Sequence, residues 1–174
     1  MTRALRPRSP ETDPLDALAR PPARLRDRIV CFGNPLHGDD GVGPAVAARL
    51  AEGPLPDGVA VVDAGTPGPA ALALFENCDR VIVVDASAPA GAPGRVWSPT
   101  VEEIAPENVR AGHGVGVGHL LACLAALGAP PPRVEILAVE AASVAAFRPG
   151  LSAPVARAVD EVAARLRRIV EATP

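Results

Sequence analysis

Residues 31–44 read CFGNPLHGDDGVGP. Two strand-like residues are followed by four glycines, two prolines, a histidine and the adjacent carboxylates Asp39 and Asp40, all ahead of a helix-like run. Nucleotide-binding loops also put glycines at such a junction. There the helix N-terminus attracts an anionic phosphate, and a pair of aspartates would repel it. No Gly-Lys-Ser or Gly-Lys-Thr follows, so this is not a Walker loop. More acidic groups close apolar runs further on: Asp63 ends GVAVVD and Asp85 ends RVIVVD. His113 stands between two glycines ahead of another helix-like stretch. Carboxylates and an imidazole together form a mixed oxygen and nitrogen ligand set. That set suits nickel or zinc better than calcium or magnesium. Three protein ligands would leave positions open for water or substrate. An aspartate at a strand end or helix start also caps free N–H groups, and for Asp39, Asp40, Asp63 and Asp85 both readings stand. His37 and His119 read as surface or hydrogen-bonded histidines, and Thr66 and Ser87 as turn residues.

Other chemistries are missing from the pattern. There is no Gly-x-Ser-x-Gly elbow. The three cysteines, Cys31, Cys78 and Cys123, form no Cys-x-x-Cys and read as small core residues. The net charge of −3 and an aromatic content of 2% argue against nucleic acid, which calls for a basic patch or a stacking platform. No apolar run reaches membrane-spanning length, so no membrane insertion is expected. The N-terminus has no apolar signal core, and a reducing cytoplasm is the expected compartment.

The elements that must hold these residues alternate along the chain. Arg28–Gly33, Gly58–Gly65, Arg80–Ser87 and Arg133–Glu140 are apolar runs of strand length, and GRVWSP is a shorter strand candidate. Pro44–Ala51, Pro69–Asn77 and the second half of 112–128 read as helices. So does a C-terminal segment with Val155, Val159, Val162, Leu166 and Ile169 on one face. Thr100 and Glu103 have the spacing of a capping box. Strands apolar throughout are buried on both faces, which predicts a mainly parallel sheet between helical layers. In such sheets ligands bind beyond the carboxyl ends of the strands, where the acidic residues gather. Residues 1–26, rich in Pro and Arg, read as a disordered extension with one short helical turn, and 27–172 as a single α/β domain.

The loop GNPLHGDDGVGP resembles the signature of the [NiFe]-hydrogenase maturation proteases. VVDAGTPG, VIVVDAS and GHGVGVGHLL are similar to the family's later segments, in order and over roughly residues 28–170. His113 is followed by Gly-Val-Gly-Val where the family commonly has Leu. The resemblance implies a three-layer α/β/α sandwich of phosphorylase/hydrolase-like type. Its five-stranded sheet would be mixed and mostly parallel, with GRVWSP as the antiparallel strand. It also implies an endopeptidase, of aspartic type, that removes the C-terminal extension of the hydrogenase large-subunit precursor after nickel insertion. On that reading Asp40, Asp85 and His113 are the metal ligands. The nickel is presented by the substrate, and zinc or another divalent ion can substitute. Asp40 is the expected catalytic base, with Asp39 assisting through a hydrogen bond. Gly33, Asn34, Gly41, Gly43 and Asp63 are expected to line the substrate. The protein is expected to act as a monomer on that one partner. The alternative is a chaperone that checks nickel in the precursor without cutting it.

Overall fold

The computed structural model describes residues 24–104, 117–126 and 132–172. Five strands form one sheet in the order β2-β1-β3-β5-β4. They are β1 (Leu25–Phe32), β2 (Val59–Gly65), β3 (Cys78–Ser87), β4 (Val96–Trp97) and β5 (Arg133–Glu140). The first, second, third and fifth run parallel, and β4 pairs antiparallel with β5. This is the mixed, mostly parallel sheet expected, with GRVWSP as its reversed member. Among the described residues three α-helices accompany it: α1 (Val42–Ala51), α2 (Val117–Ala126) and α3 (Ala153–Glu171).

Strand periodicity sorts the core into two layers. Ile29, Cys31, Ile82, Val84, Leu137 and Val139 face α1 and α3. Val30, Phe32, Val81, Val83 and Ile136 face a 3-10 helix (Gly68–Phe75) and α2. Fully burying an aliphatic side chain of this kind is worth about 1.5–3 kcal/mol. With no exposed face, the central strands need no polar alternation, which is why their sequences are apolar throughout. On α3 the buried stripe is Val155, Ala158, Val162, Ala163, Leu166 and Val170. Val159 and Ile169 of the expected face are half-buried beside it.

Three details differ from the sequence reading. The expected helix over 69–77 is a 3-10 helix ending at Phe75, and Asn77 beyond it takes a left-handed φ of 54°. Eight residues are few for α-helix propagation. The capping-box bonds do form, Thr100 N to Glu103 Oε2 at 2.8 Å and Glu103 N to Thr100 Oγ1 at 3.3 Å, but residues 101–103 make a turn. Finally, β1 begins at Leu25, so the expected boundary after residue 26 falls inside a strand. The polar pair Arg26–Asp27 hid this. Asp27 is fully buried, accepting from Arg80 Nε at 2.6 Å and Arg26 Nε at 2.9 Å. The expected extension otherwise lies outside the described residues. Among the described residues no helix is long and apolar enough to cross a membrane.

Candidate functional site

Two glycines let the loop after β1 fold back on itself. Gly33 has φ of +129°, and a Cβ there would lie 1.9 Å from the carbonyl oxygen of Asp40. A Cβ on Gly43 would lie 1.8 Å from the carbonyl oxygen of Phe32. Only glycine permits backbone to meet backbone at these points. The contacts the structure gives Gly33, Gly41 and Gly43, all buried, are with the chain itself. The result is a short 3-10 turn, Gly38–Gly41, held against the carboxyl end of β3. Asn34 organises the loop that leads to it. Its side-chain oxygen accepts Leu36 N at 3.0 Å, its carbonyl accepts His37 N at 3.0 Å, and its own N–H donates to Asp40 Oδ2 at 2.8 Å.

The two adjacent aspartates have different environments. Asp39 is buried and receives four hydrogen bonds. Ser152 N donates to Oδ1 at 2.6 Å; Ala142 N, Ser143 N and Ser152 Oγ donate to Oδ2 at 2.8, 3.2 and 2.9 Å. Burial pushes its carboxyl pKa up. The bonds from Ser152, Ala142 and Ser143 outweigh that and hold it below the ordinary value, so the group is an anion. Ser152 stands at the N-cap position of α3, yet its hydroxyl donates to Asp39 and makes no cap bond. Asp39 therefore fastens the β5–α3 connection to the β1 loop. Among the described residues its side-chain bonds all run to residues 142–152, and none runs to Asp40. Asp40 is half-buried, held on Oδ2 by the Asn34 amide, and Oδ1 makes no hydrogen bond among the described residues.

Asp85 lies near the end of β3, one residue past Val84, which pairs with Cys31 of β1. It is half-buried and accepts Ala86 N at 2.8 Å on Oδ1. The sheet thus brings Asp40 and Asp85 to one edge. Asp63 reaches the same edge on β2 but is exposed, and its Oδ1 accepts Gly65 N at 3.2 Å in a local turn. Ser87 accepts Trp97 Nε1 at 3.3 Å and so ties β4 to β3. His37 meets Phe147 edge-on, with ring centroids 6.2 Å apart. His113 lies outside the described residues, and among those described no three His, Cys, Asp or Glu side chains gather as a metal site.

Sequence reasoning missed Glu140. It closes β5 fully buried and accepts Ala92 N at 2.6 Å, Ala90 N at 2.7 Å and Arg95 Nε at 3.1 Å. The Ala92 amide first, with Ala90 and Arg95, keeps its carboxyl below the usual range against the opposing effect of burial. It fastens the loop that follows Asp85 and Ser87. The signal was present, an acidic residue closing an apolar strand, as in the case of Asp85. Cysteine chemistry is disfavoured at this edge. Burial, and secondarily the Asp63 charge, push the Cys31 thiol up to about 12.

This architecture has counterparts among known proteins. A sequence profile described as hydrogenase maturation protease matches residues 44–169, opening at the proline that ends the β1 loop. A Methanocaldococcus jannaschii relative, provisionally named a hydrogenase maturation protease, is 34% identical over 143 residues, 76% of this chain and 88% of its own. The hydrogenase 2 maturation protease of Escherichia coli K12 is 29% identical over 158 residues, 86% of this chain and 96% of its own. The solved hydrogenase maturating endopeptidase of E. coli shares the fold, with a TM-score of 0.72 at 24% identity over 84% of this chain and 93% of that one. An E. coli endopeptidase solved in solution gives 0.71 at 26% identity, over 82% and 90% of the two chains. The chain belongs to the hydrogenase maturation protease family.

Proposed function

We propose that this protein is the endopeptidase that removes the C-terminal extension from a [NiFe]-hydrogenase large-subunit precursor once nickel is in place. Asp40, Asp85 and His113 read the precursor's nickel, which arrives as part of the substrate; zinc or another divalent ion of similar coordination chemistry substitutes. The observation that carries this reading, within a family of maturation proteases, is Asp40 itself. Its carboxylate is steadied through one oxygen by the Asn34 amide, and the other oxygen makes no hydrogen bond among the described residues. A carboxylate so held fits a ligand, or a base that takes the proton from an attacking water. Bound at this edge, the precursor's metal supplies Lewis-acid polarisation of the scissile carbonyl. Asp39, with both oxygens engaged, serves as the anchor of the site. The protein acts as a cytoplasmic monomer on this one partner.

The test is incubation of the purified protein with precursor, with and without nickel, and weighing of the product by mass spectrometry. Loss of the C-terminal peptide only with nickel is expected from the wild type, and no loss from Asp40→Asn. Processing at the wild-type rate by Asp40→Asn would remove Asp40 from the mechanism. A precursor that is bound and left intact by the wild type would turn the reading into that of a nickel-checking chaperone.

A further inference from the structure

We propose that Leu36, Val144 and Phe147 form a preorganised apolar patch that docks a hydrophobic segment of the precursor polypeptide a few residues from the scissile bond. This rests on the processing role above. The chain has three phenylalanines. Phe32 and Phe75 are buried in the core, whereas Phe147 is 84% exposed. Leu36 is 52% and Val144 50% exposed, and the three make up most of the large exposed hydrophobics among the described residues. Single exposed apolar residues are ordinary on a surface; a cluster beside a functional site is not.

The cluster is held in place. Arg148 N donates to the Leu36 carbonyl at 3.0 Å, and His37 bridges to Arg148 as in a parallel sheet. Gly38 leaves room for the 143–148 loop to close on it: a Cβ there would meet Ser143 O at 3.1 Å. Asp39 clamps the loop's start through Ala142 and Ser143. Phe147 itself sits at φ of 58°, a left-handed conformation that an aromatic residue adopts at a cost. A glycine or asparagine would hold that turn with less strain. Keeping a bulky ring there, 84% exposed and edge-on to His37, is a sign of use.

The occupant follows from position. Leu36 stands four residues before Asp40 on the same loop, so the two are at most about 14 Å apart along the chain. That span is about the reach of four extended residues, so a substrate strand seated at Asp40 can lay apolar side chains about four residues from the cut on the patch. A lipid surface is disfavoured. The chain's net charge is −3, which does not favour a surface of anionic headgroups.

The experiment uses the full chain and purified nickel-loaded precursor, and records both precursor binding and steady-state processing. Phe147→Gly and the double variant Leu36→Ser with Phe147→Gly should bind precursor at least tenfold more weakly. KM should rise in step, kcat should stay within threefold, and Tm should not fall. Phe147→Tyr, which keeps the ring, should restore KM. Unchanged binding and KM in Phe147→Gly overturn the proposal. If the wild type binds but does not cut, while Phe147→Gly does not bind, docking stands and the processing role falls. If the wild type neither binds nor cuts, both fall. A dimer in sedimentation that Phe147→Gly abolishes, with precursor binding unaltered, makes the patch a self-association surface and likewise overturns the proposal.

Discussion

Asp39→Asn should weaken the fold before it touches any chemistry. In the native protein Oδ1 takes the Ser152 amide, and Oδ2 takes the amides of Ala142 and Ser143 and the Ser152 hydroxyl. Asparagine offers one acceptor. Turned toward the three donors on the Oδ2 side, it sets an NH2 group against the Ser152 amide, so that donor at the head of α3 loses its partner. The three surviving bonds lose the charge that strengthened them. An unsatisfied buried donor costs about 1–3 kcal/mol and charge-assisted bonds are roughly twice as strong as neutral ones, so the variant should lose about 2–4 kcal/mol. For a domain of this length that is a fall of roughly 5–15 °C in Tm.

Acidity provides a second signature of the same anchor. The Asp39 carboxyl lies below its ordinary value when folded. Its stabilisation is therefore complete above the unfolded value of about 3.9 and is lost as pH falls through the folded one. Wild-type Tm should drop more steeply than that of Asp39→Asn as pH falls below about 5, the two curves approaching each other as pH passes through the folded value. Differential scanning calorimetry across that range makes the comparison. A variant that melts within about 2 °C of wild type yet fails to process precursor would refute the anchoring role, given the Tm loss that lost bonds should produce. Asp39 would then be a chemical partner of Asp40.

Removing Asp27 should take from the buried Arg80 its 2.6 Å partner, with Glu135 remaining at 3.4 Å; Asp27→Ala should cost about 3–5 kcal/mol in urea unfolding, and adding Arg80→Met should recover part of it. Gly43→Ala would press a methyl onto the Phe32 carbonyl and should cost more than about 4 kcal/mol. Gly65→Ala, with nothing within 4 Å but φ of +59°, should cost about 1–2 kcal/mol; equal losses at the two positions would refute the contact argument. Of the three thiols, only partly exposed Cys123 should react quickly with a disulfide reagent near neutral pH. Burial raises the pKa of both Cys31 and Cys78, which should wait for unfolding; three fast thiols by absorbance would show an open core.

The strands were legible because burial on both faces leaves an unbroken apolar run, as in RVIVVDAS, and each such run fell within a strand of the sheet. The short run GRVWSP was legible as a strand candidate, but its reversed direction came only from the resemblance to the family. Asp40 and Asp85 reached one edge because parallel strands align their carboxyl ends. Sequence could not assign Asp39 its role, since its partners lie 103 to 113 residues further along the chain. Capping had been weighed against chemistry for this residue, and bonding to free amides is what it does. The helix it serves is α3, however, and not the adjacent α1. Asp27 was hidden for a related reason: a charged residue in a strand reads as solvent-facing until its buried cation, on another strand, is known.

What separates an anchoring carboxylate from one open to a ligand in this protein is the number of donors aimed at it. Asp39 and Glu140 each gather three or more, and each fastens a loop at the carboxyl edge of the sheet. Lone pairs engaged by amides that are themselves fixed in the backbone are not available to a cation or a water. Asp40 differs from its neighbour by one position in sequence and by having a single donor among the described residues. The 3-10 turn turns the two side chains to different partners, and the glycines at 33 and 43 let that turn pack against β1. The saturated aspartate is the structural counterpart of the unsaturated one. Its bonds hold the frame in which Asp40, half-buried, keeps one oxygen that makes no hydrogen bond among the described residues. Substitutions at 39 and 40 should therefore separate cleanly, the first read in melting temperature and the second in turnover.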